Sequence, residues 1–271
     1  MSDDGYRSVD GLTVTLEGPV LELELDRPAK RNAIDDTMTV GLIDAIDRAG
    51  RDEDVRVVVL SGAGDHFCGG ADIVARNSAG GQRPRVGSIQ RRVPSLAHRL
   101  IPLVVSTQTP IVCRVQGWAA GIGFQLAAAA DFTIATDDST FWEPFSERGF
   151  TPDSGATWLL PRLVGMARSR ELLLLGRKLT GSEAAEWGLV HASVRPDDLG
   201  RATSEVVDQL RCGPTVALGL TKWLLGATHH ETLQDQLHNE ALALELSSRS
   251  DDFREGLSAF KEKRPPDFTG R

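Results

Sequence analysis

The stretch Pro110-IVCRVQGWAAGIGFQLAAAADFTIAT-Asp137 decides how this chain is read. An apolar run from Ile111 to Val115 meets a glycine-rich turn at Gly117, Gly121 and Gly123. A small-residue helix follows through Ala130, and a second apolar run spans Phe132 to Ala135. The order is strand, turn, helix, strand. Glycine at a strand-to-helix turn lets another group come close to the backbone, and the first N–H groups of the helix have no internal partner. With the helix dipole behind them, such donors suit an anion, or an oxygen that becomes anionic. A tightly packed βαβ crossover needs the same glycines, so the stretch alone leaves both readings open.

A second segment repeats this grammar. Val55-RVVVLSGAGDHFCGGAD-Ile73 carries a buried-type strand (Val57 to Leu60), a Gly62/Gly64 turn, then Phe67-Cys68-Gly69-Gly70-Ala71-Asp72. Neither glycine run fits G-x-G-x-x-G, because Phe67 and Leu126 stand at the third-glycine positions, and no Walker sequence is present. Nucleotide-phosphate readings are therefore dropped. Two separated glycine-rich turns remain, each able to offer one backbone donor.

The pair resembles the enoyl-CoA hydratase/isomerase (crotonase) superfamily, whose oxyanion-hole N–H groups lie in F-[CS]-[AG]-G-[AG]-D and in G-x-[AC]-x-G-x-G. Leu25-DRPAKRNA-Ile34 is similar to that family's N-terminal R-P-x-x-x-N-A turn. Leu173-LLGRKLTGSEAAEWGLVHAS-Val194 is similar to its G-x-x-[LI]-[ST]-x-x-E-A-x-x-x-G-L-V segment, and Phe260-KEKRPPDFTG-Arg271 to its C-terminus. The likeness covers nearly the whole chain.

The resemblance implies an α/β fold, a spiral of repeated ββα units with a helical C-terminal subdomain. Residues 1–200 would form the core with the oxyanion hole and acyl-CoA site, and residues 201–271 a helical trimerisation subdomain. It implies an acyl-CoA thioester substrate, with coenzyme A part of the substrate and no separate cofactor, and a homotrimer or a hexamer made of two trimers. Residue by residue, the oxyanion donors are the amides of Ala71 and Ile122, beside Gly70 and Gly121. Lys30 and Arg31 match basic positions near the CoA phosphates, while Ala33, Ala71 and Ile73 fall where backbone contacts adenine and pantetheine. The family's lysine after A-D-[IL] is Val74 here, so Arg76, or Lys263 and Phe268 of a neighbouring C-terminus, are the substitutes.

Composition narrows the field independently. The chain has 271 residues, of which 25% are charged and 41% apolar, enough for a substantial core. Its net charge is −8, which argues against a nucleic-acid partner. Three scattered cysteines, Cys68, Cys113 and Cys212, read as reduced buried thiols of a cytosolic protein. The six histidines show no metal-ligand spacing, so no metal is expected. Met1-SDDGYRSV-Asp10 is acidic and polar, unlike a leader peptide, and no apolar stretch has the length of a membrane span.

Periodicity fills in the elements. Leu12 to Leu16 and Val20 to Leu25 alternate about the Gly18-Pro19 turn, predicting a hairpin. Asp36 or Thr37 caps an amphipathic helix with Met38, Leu42, Ile43 and Ile46, running to Gly50. Strands alternating with helices argue for a parallel sheet. Residues 76–92 hold three glycines and five arginines, reading as a solvated loop and also as a lid lending charge to CoA. From Arg201 the pattern is helical: one helix to Arg211, another from Thr215, a third from His230, and a last one ended by Pro265-Pro266.

Reaction type turns on the acids and bases around the acyl chain. In the resemblance, hydratases use two glutamates to orient water and deliver a proton. Here those positions are Gln125, which cannot exchange a proton near neutral pH, and Phe145, which excludes water. Asp153 in Pro152-DS-Gly155 falls where family isomerases carry a catalytic aspartate, and this wording resembles the epoxyphenylacetyl-CoA isomerase branch. The same residues form a helix N-cap signature, so base and cap both stand. Phe141, Trp142 and Phe145 make a dry wall that suppresses water addition, with Gln125 orienting substrate. Glu143 and Glu147 are reserve carboxylates, Glu147 pairing with Arg148 at the surface. Asp72 and Asp131 orient turns, and His66 is a hydrogen-bonded turn residue. Trp118, Trp142, Trp158, Phe124 and Phe145 leave room for an apolar, ring-bearing acyl group. The expected function is an enoyl-CoA double-bond isomerase; an atypical enoyl-CoA hydratase is the alternative, and a non-catalytic acyl-CoA-binding protein a further one.

Overall fold

The sequence VVVLSG at Val57–Gly62 (β3) is buried along its whole length, as a parallel strand covered by helices on both faces must be. The computed structural model describes residues 5–72, 85–228 and 231–271. In it β3 sits in a six-stranded sheet with β1 (Leu12–Glu17), β2 (Val20–Leu25), β4 (Ile111–Val115), β6 (Phe132–Thr136) and β9 (Ala192–Val194), in the order β1-β2-β3-β4-β6-β9. The predicted hairpin forms: β1 and β2 pair antiparallel, Glu17 against Val20 at the turn. Every other pair in this sheet is parallel.

Alternate side chains of β3 feed two cores. Val58 and Leu60 join the main core with Ile111 and Cys113, beneath α1 (Asp36–Ala49), α2 (Ala97–Ser106) and α3 (Ile122–Ala129). Val57 and Val59 join Val112 on the other face, where Val207 and Leu210 of α7 (Leu199–Arg211) cover them. Packing is thus continuous across residue 200. The cap of α1 is Asp35, whose carboxylate accepts the Met38 N–H, one residue before the expected Asp36 or Thr37.

A second sheet of three short strands, β5 (Trp118–Ala120), β7 (Thr140–Trp142) and β8 (Leu179–Thr180), places the candidate site. Parallel bridges extend it, from Ala119 to Cys68 and from Ala71 to Ile34. Both glycine-rich turns are thereby sewn to one ladder. Beyond β7 come α4 (Ala156–Leu163), α5 (Gly165–Leu174) and α6 (Gly181–Glu186), and after α7 come α8 (Thr215–Ala227), α9 (Leu233–Ser247) and α10 (Asp251–Glu262). Among the described residues no helix is long and apolar enough to cross a membrane.

Lys222 fastens α8 to the core. Its ammonium is 2.6 Å from Asp131, 3.1 Å from the Val104 carbonyl and 3.2 Å from that of Thr109. Burial lowers the Lys222 pKa and raises that of Asp131, and their mutual attraction opposes both shifts. A pair this close and buried holds together as an ion pair. Asp131 also accepts the Ile111 N–H at 2.7 Å, so it orients the strand start as expected. Cys68 and Cys113 are buried free thiols, but Cys212 is exposed, because it lies just past the end of α7; the expectation of burial fails there.

Candidate active site

The first turn is clamped by the Arg27–Ala33 loop. Asn32 is fully buried and, with Arg31, adopts a left-handed backbone (φ 56° and 51°). Its side chain accepts the Arg27 N–H at 2.8 Å and donates to the Ala63 and His66 carbonyls at 2.9 and 2.6 Å. Asparagine tolerates this conformation and offers both donor and acceptor. The Arg27 guanidinium bonds the Ala33 carbonyl at 2.8 Å and pairs with Asp72 at 3.0 Å and Asp35 at 3.1 Å. Asp72 therefore orients the turn. Lys30 also engages it, at 3.0 Å, with half its side chain in solvent. Arg31 is exposed and lies over the Trp118 ring at 5.7 Å. His66 is the expected turn residue, its Nδ1 accepting the Trp118 N–H at 3.4 Å.

Ile34 binds the groups flanking Ala71: its N–H donates to the Gly70 carbonyl at 2.8 Å, and its carbonyl accepts the Asp72 N–H at 2.9 Å. The N–H of Ala71 itself then points to the opposite side of the strand. On the second turn, Ile122 opens α3 behind Gly121, so its N–H has no partner within the helix. The two turns touch. A Cβ on Gly70 would lie 3.2 Å from the Ala120 carbonyl oxygen, one on Gly121 3.9 Å from Gly70 Cα, and one on Gly123 2.5 Å from Cys68 Cβ. The Cys68 sulfur accepts the Gly70 N–H at 3.4 Å, and burial pushes its thiol pKa up to about 12. This cysteine is a packing residue.

Ala71 and Ile122 line one cavity of about 430 Å3, closed by Phe145, Phe150, Thr39 and Ala97 and carrying Arg148, Asp153 and Ser154. Asp153 is its sole carboxylate among the described residues. The Asp153 side chain does not cap α4: the cap residue is Gly155, which makes no side-chain cap bond, and the Ala156 N–H reaches only the Asp153 carbonyl, at 3.3 Å. Instead the carboxylate accepts the Ser154 hydroxyl at 3.1 Å. Ser154 and Gly155 are both left-handed (φ 52° and 92°), a costly conformation for serine that turns the loop sharply. Asp153 and Ser154 also line a second, mainly apolar cavity of about 620 Å3 beside Ile101, Pro102, Val105 and Trp158. The two cavities meet at Asp153.

Several expected site residues lie elsewhere. Gln125 points away from the cavity, its amide Nε2 at 3.2 and 3.3 Å from the two carboxylate oxygens of fully buried Glu143. Burial raises the Glu143 carboxyl well above its ordinary range, the Gln125 bond lowers it and the charge of Asp153 raises it further. Glu147 is exposed, and the expected pair with Arg148 is absent, Arg148 lying 5.8 Å over the Trp142 ring. Of the expected dry wall only Phe145 lines the cavity; Phe141 is packed edge-on against Phe124 and Trp142 against Trp118. Phe268 sits against Gly256 of α10 in its own chain and does not line this cavity. Ile73, Val74 and Arg76, with most of the lid segment, fall outside the described residues. Sequence reasoning missed Arg148 as a lining cation and missed Phe150 and Thr39. The first two ride on irregular backbone, where spacing carries no signal.

The family model for enoyl-CoA hydratase/isomerase matches residues 15–271. The chain is 39% identical to 1,2-epoxyphenylacetyl-CoA isomerase of Escherichia coli (strain K12), over 94% of this chain and 97% of that one. It is 38% identical to a protein of Rhodobacter capsulatus named "probable enoyl-CoA hydratase", over 98% and 97%. The crystal structure of an enoyl-CoA hydratase from Bacillus anthracis superposes with a TM-score of 0.89 at 28% identity, covering 96% of this chain and all of that one.

Proposed function

The chain belongs to the enoyl-CoA hydratase/isomerase family, and on that premise we propose that it moves a double bond along an acyl-CoA thioester. The observation that carries this reading is the acid inventory of the cavity: Asp153 is the one carboxylate beside Ala71 and Ile122 among the described residues. The thioester oxygen accepts the two N–H groups, so the charge of the dienolate is stabilised where it develops. Asp153 removes a proton from one carbon of the acyl chain and returns it to another, and the enzyme ends as it began. A single base suffices because the two carbons are close along the chain. Phe145, 4% exposed, keeps water from the intermediate.

Hydration would need a second acid–base group at the positions of Gln125 and Phe145, which offer none, and Glu143 is fully buried and does not line the cavity. The second, apolar cavity beyond Asp153 supports a bulky or ring-bearing acyl end. Lys30 and Arg31 are the proposed CoA phosphate contacts. Leu233 and Leu244 of α9, 76% and 64% exposed, support a proposed trimer contact, which would also bring a neighbour's Phe268 to the CoA.

The test is proton exchange. Wild type and Asp153→Asn are incubated in D2O with 3-enoyl- and 2-enoyl-CoA substrates, and deuterium is followed by mass spectrometry. Isomerisation with Cα/Cγ exchange, falling about 10²- to 10⁴-fold in Asp153→Asn, is expected. Hydration that survives the substitution would refute the assignment.

A further inference from the structure

Glu143 and Gln125 form a buried pair that the proposed proton shuttle does not use. Gln125 lies in the first turn of α3, three residues after Ile122, and Glu143 follows β7 directly, ahead of Pro144 and Phe145. Both side chains are buried, at 0% and 1% exposure. The Gln125 Nε2 group serves both oxygens of Glu143, whereas Gln125 Oε1 is buried with no hydrogen-bond partner. Among the described residues no cation pairs with Glu143. The charge acting on it is that of Asp153, of like sign. The cations near the adjacent Trp142, Lys178 at 4.5 Å and Arg148 at 5.8 Å, lie over that ring instead.

A buried carboxylate without a cation bears the full cost of lost hydration, and a buried amide oxygen without a donor costs as well. One proton removes both costs. A carboxylic acid has an O–H donor, and Gln125 lacks a donor for Oε1. Rotation of the amide about its soft terminal torsion gives a closed ring: O–H to Oε1, and Nε2–H to the other carboxyl oxygen.

We propose that Glu143 is a positioning residue, a neutral carboxylic acid that locks the first turn of α3 to the end of β7 through Gln125. The effect of burial on its carboxyl agrees in direction. The pair ties the turn bearing the Ile122 N–H to the segment bearing Phe145, and it leaves the negative charge of the site on Asp153 alone. The positioning role rests on the oxyanion reading proposed above; the protonation state does not.

Three measurements separate these claims. The infrared difference spectrum between wild type and Glu143→Gln at neutral pH should contain a carboxylic-acid C=O band; carboxylate bands in its place overturn the assignment. Unfolding against pH gives the same answer without any substrate. A folded pKa above the unfolded value means stability present below the unfolded pKa, near 4.3, and lost as pH rises toward the folded one. Glu143→Gln should therefore gain on wild type from about pH 4 upward, and a pH-independent difference refutes the neutral acid. For the positioning role, Glu143→Ala should lower kcat about 10- to 100-fold with little change in KM, and Glu143→Gln should recover most of it. Equal losses in both variants, or no loss in Glu143→Ala, refute that role. If wild type turns over no enoyl-CoA, the isomerase reading fails while the infrared and unfolding results still decide the protonation state.

Discussion

Gly123→Ala tests whether the contact between the two glycine turns sets the spacing of the proposed oxyanion donors. A Cβ at position 123 would lie 2.5 Å from Cys68 Cβ, 2.8 Å from its sulfur and 2.9 Å from its carbonyl oxygen. Carbon atoms rest about 3.5 to 4.0 Å apart, so something must retreat by about 1 Å. Cys68 is poorly placed to yield. Its N–H bonds the Trp118 carbonyl at 2.8 Å and its carbonyl accepts the Ala120 N–H at 2.9 Å, while its sulfur holds the Gly70 N–H. The first turn of α3 moves instead and carries Ile122 with it, while Ala71 stays bridged to Ile34. A misplacement of about 1 Å costs roughly 10²-fold, and loss of one oxyanion donor roughly 10²- to 10³-fold. The expected result is a fall of about 100-fold in Cα exchange in D2O. Stability should change much less, because overpacking costs about 1–3 kcal/mol while alanine gains about 1 kcal/mol over glycine within a helix. Adding Cys68→Gly removes the Cβ and sulfur contacts but not the carbonyl one, so recovery should be partial. Exchange within about threefold of wild type in Gly123→Ala, with α3 intact by circular dichroism, would refute the reasoning.

Two further outcomes are expected. Lys222→Met strips Asp131 of its cation and strands a largely buried charge, costing about 3–5 kcal/mol and lowering the melting temperature by about 6 to 20 °C; Asp131→Asn in the same chain should recover part of this, and a loss below about 1 kcal/mol would show that the pair does not hold α8. Thiol titration of the native protein should find Cys212 reacting rapidly, with Cys68 and Cys113 reacting only after denaturation, since both are buried and their pKa values raised; fast native reaction of either buried thiol would contradict the packing of the turns.

Most of the main sheet was legible in the sequence, β3, β4 and β6 as apolar runs and β1 and β2 by alternation about a glycine turn, whereas β9, three residues of mixed polarity, was not. Val57 to Leu60, Ile111 to Val115 and the hairpin about Gly18-Pro19 formed where periodicity placed them. The small sheet was not legible, since strands of two or three residues such as Leu179–Thr180 are too short for a period to emerge. Side-chain direction was harder still. Gln125 read as a pocket residue from its place after the second turn, but the partner that turns it inward is Glu143, 18 positions away. Phe268 was assigned to a neighbour's CoA by resemblance, and within one chain it packs on α10. The cap of α1 at Asp35 differs by one residue because Asp35, Asp36 and Thr37 are all good caps, and only the backbone angles choose among them.

In the proposed reaction, the parts that make the enolate and the parts that decide its fate belong to different kinds of structure. The enolate is served by backbone donors on two turns, fixed by close glycine packing and by the Asn32 clamp, and side-chain substitution cannot easily alter them. Its fate depends on the 143–155 loop, which supplies Phe145, Arg148, Phe150, Asp153 and Ser154 to the cavity. That loop is irregular, and its sharpest bend is the left-handed pair Ser154-Gly155. The bend leaves the Asp153 carboxylate free of the α4 cap and sets it between the two cavities, held by the Ser154 hydroxyl. A carboxylate so placed can meet the acyl chain on both sides of the bond that moves, whereas a water-adding site must hold a water against an acid and a base. At the two positions suited to that task this chain has a phenylalanine and an inward-facing amide. In the proposed reaction the outcome then follows from the side chains presented by this loop and by position 125 of α3, while the proposed oxyanion turns constrain only the enolate.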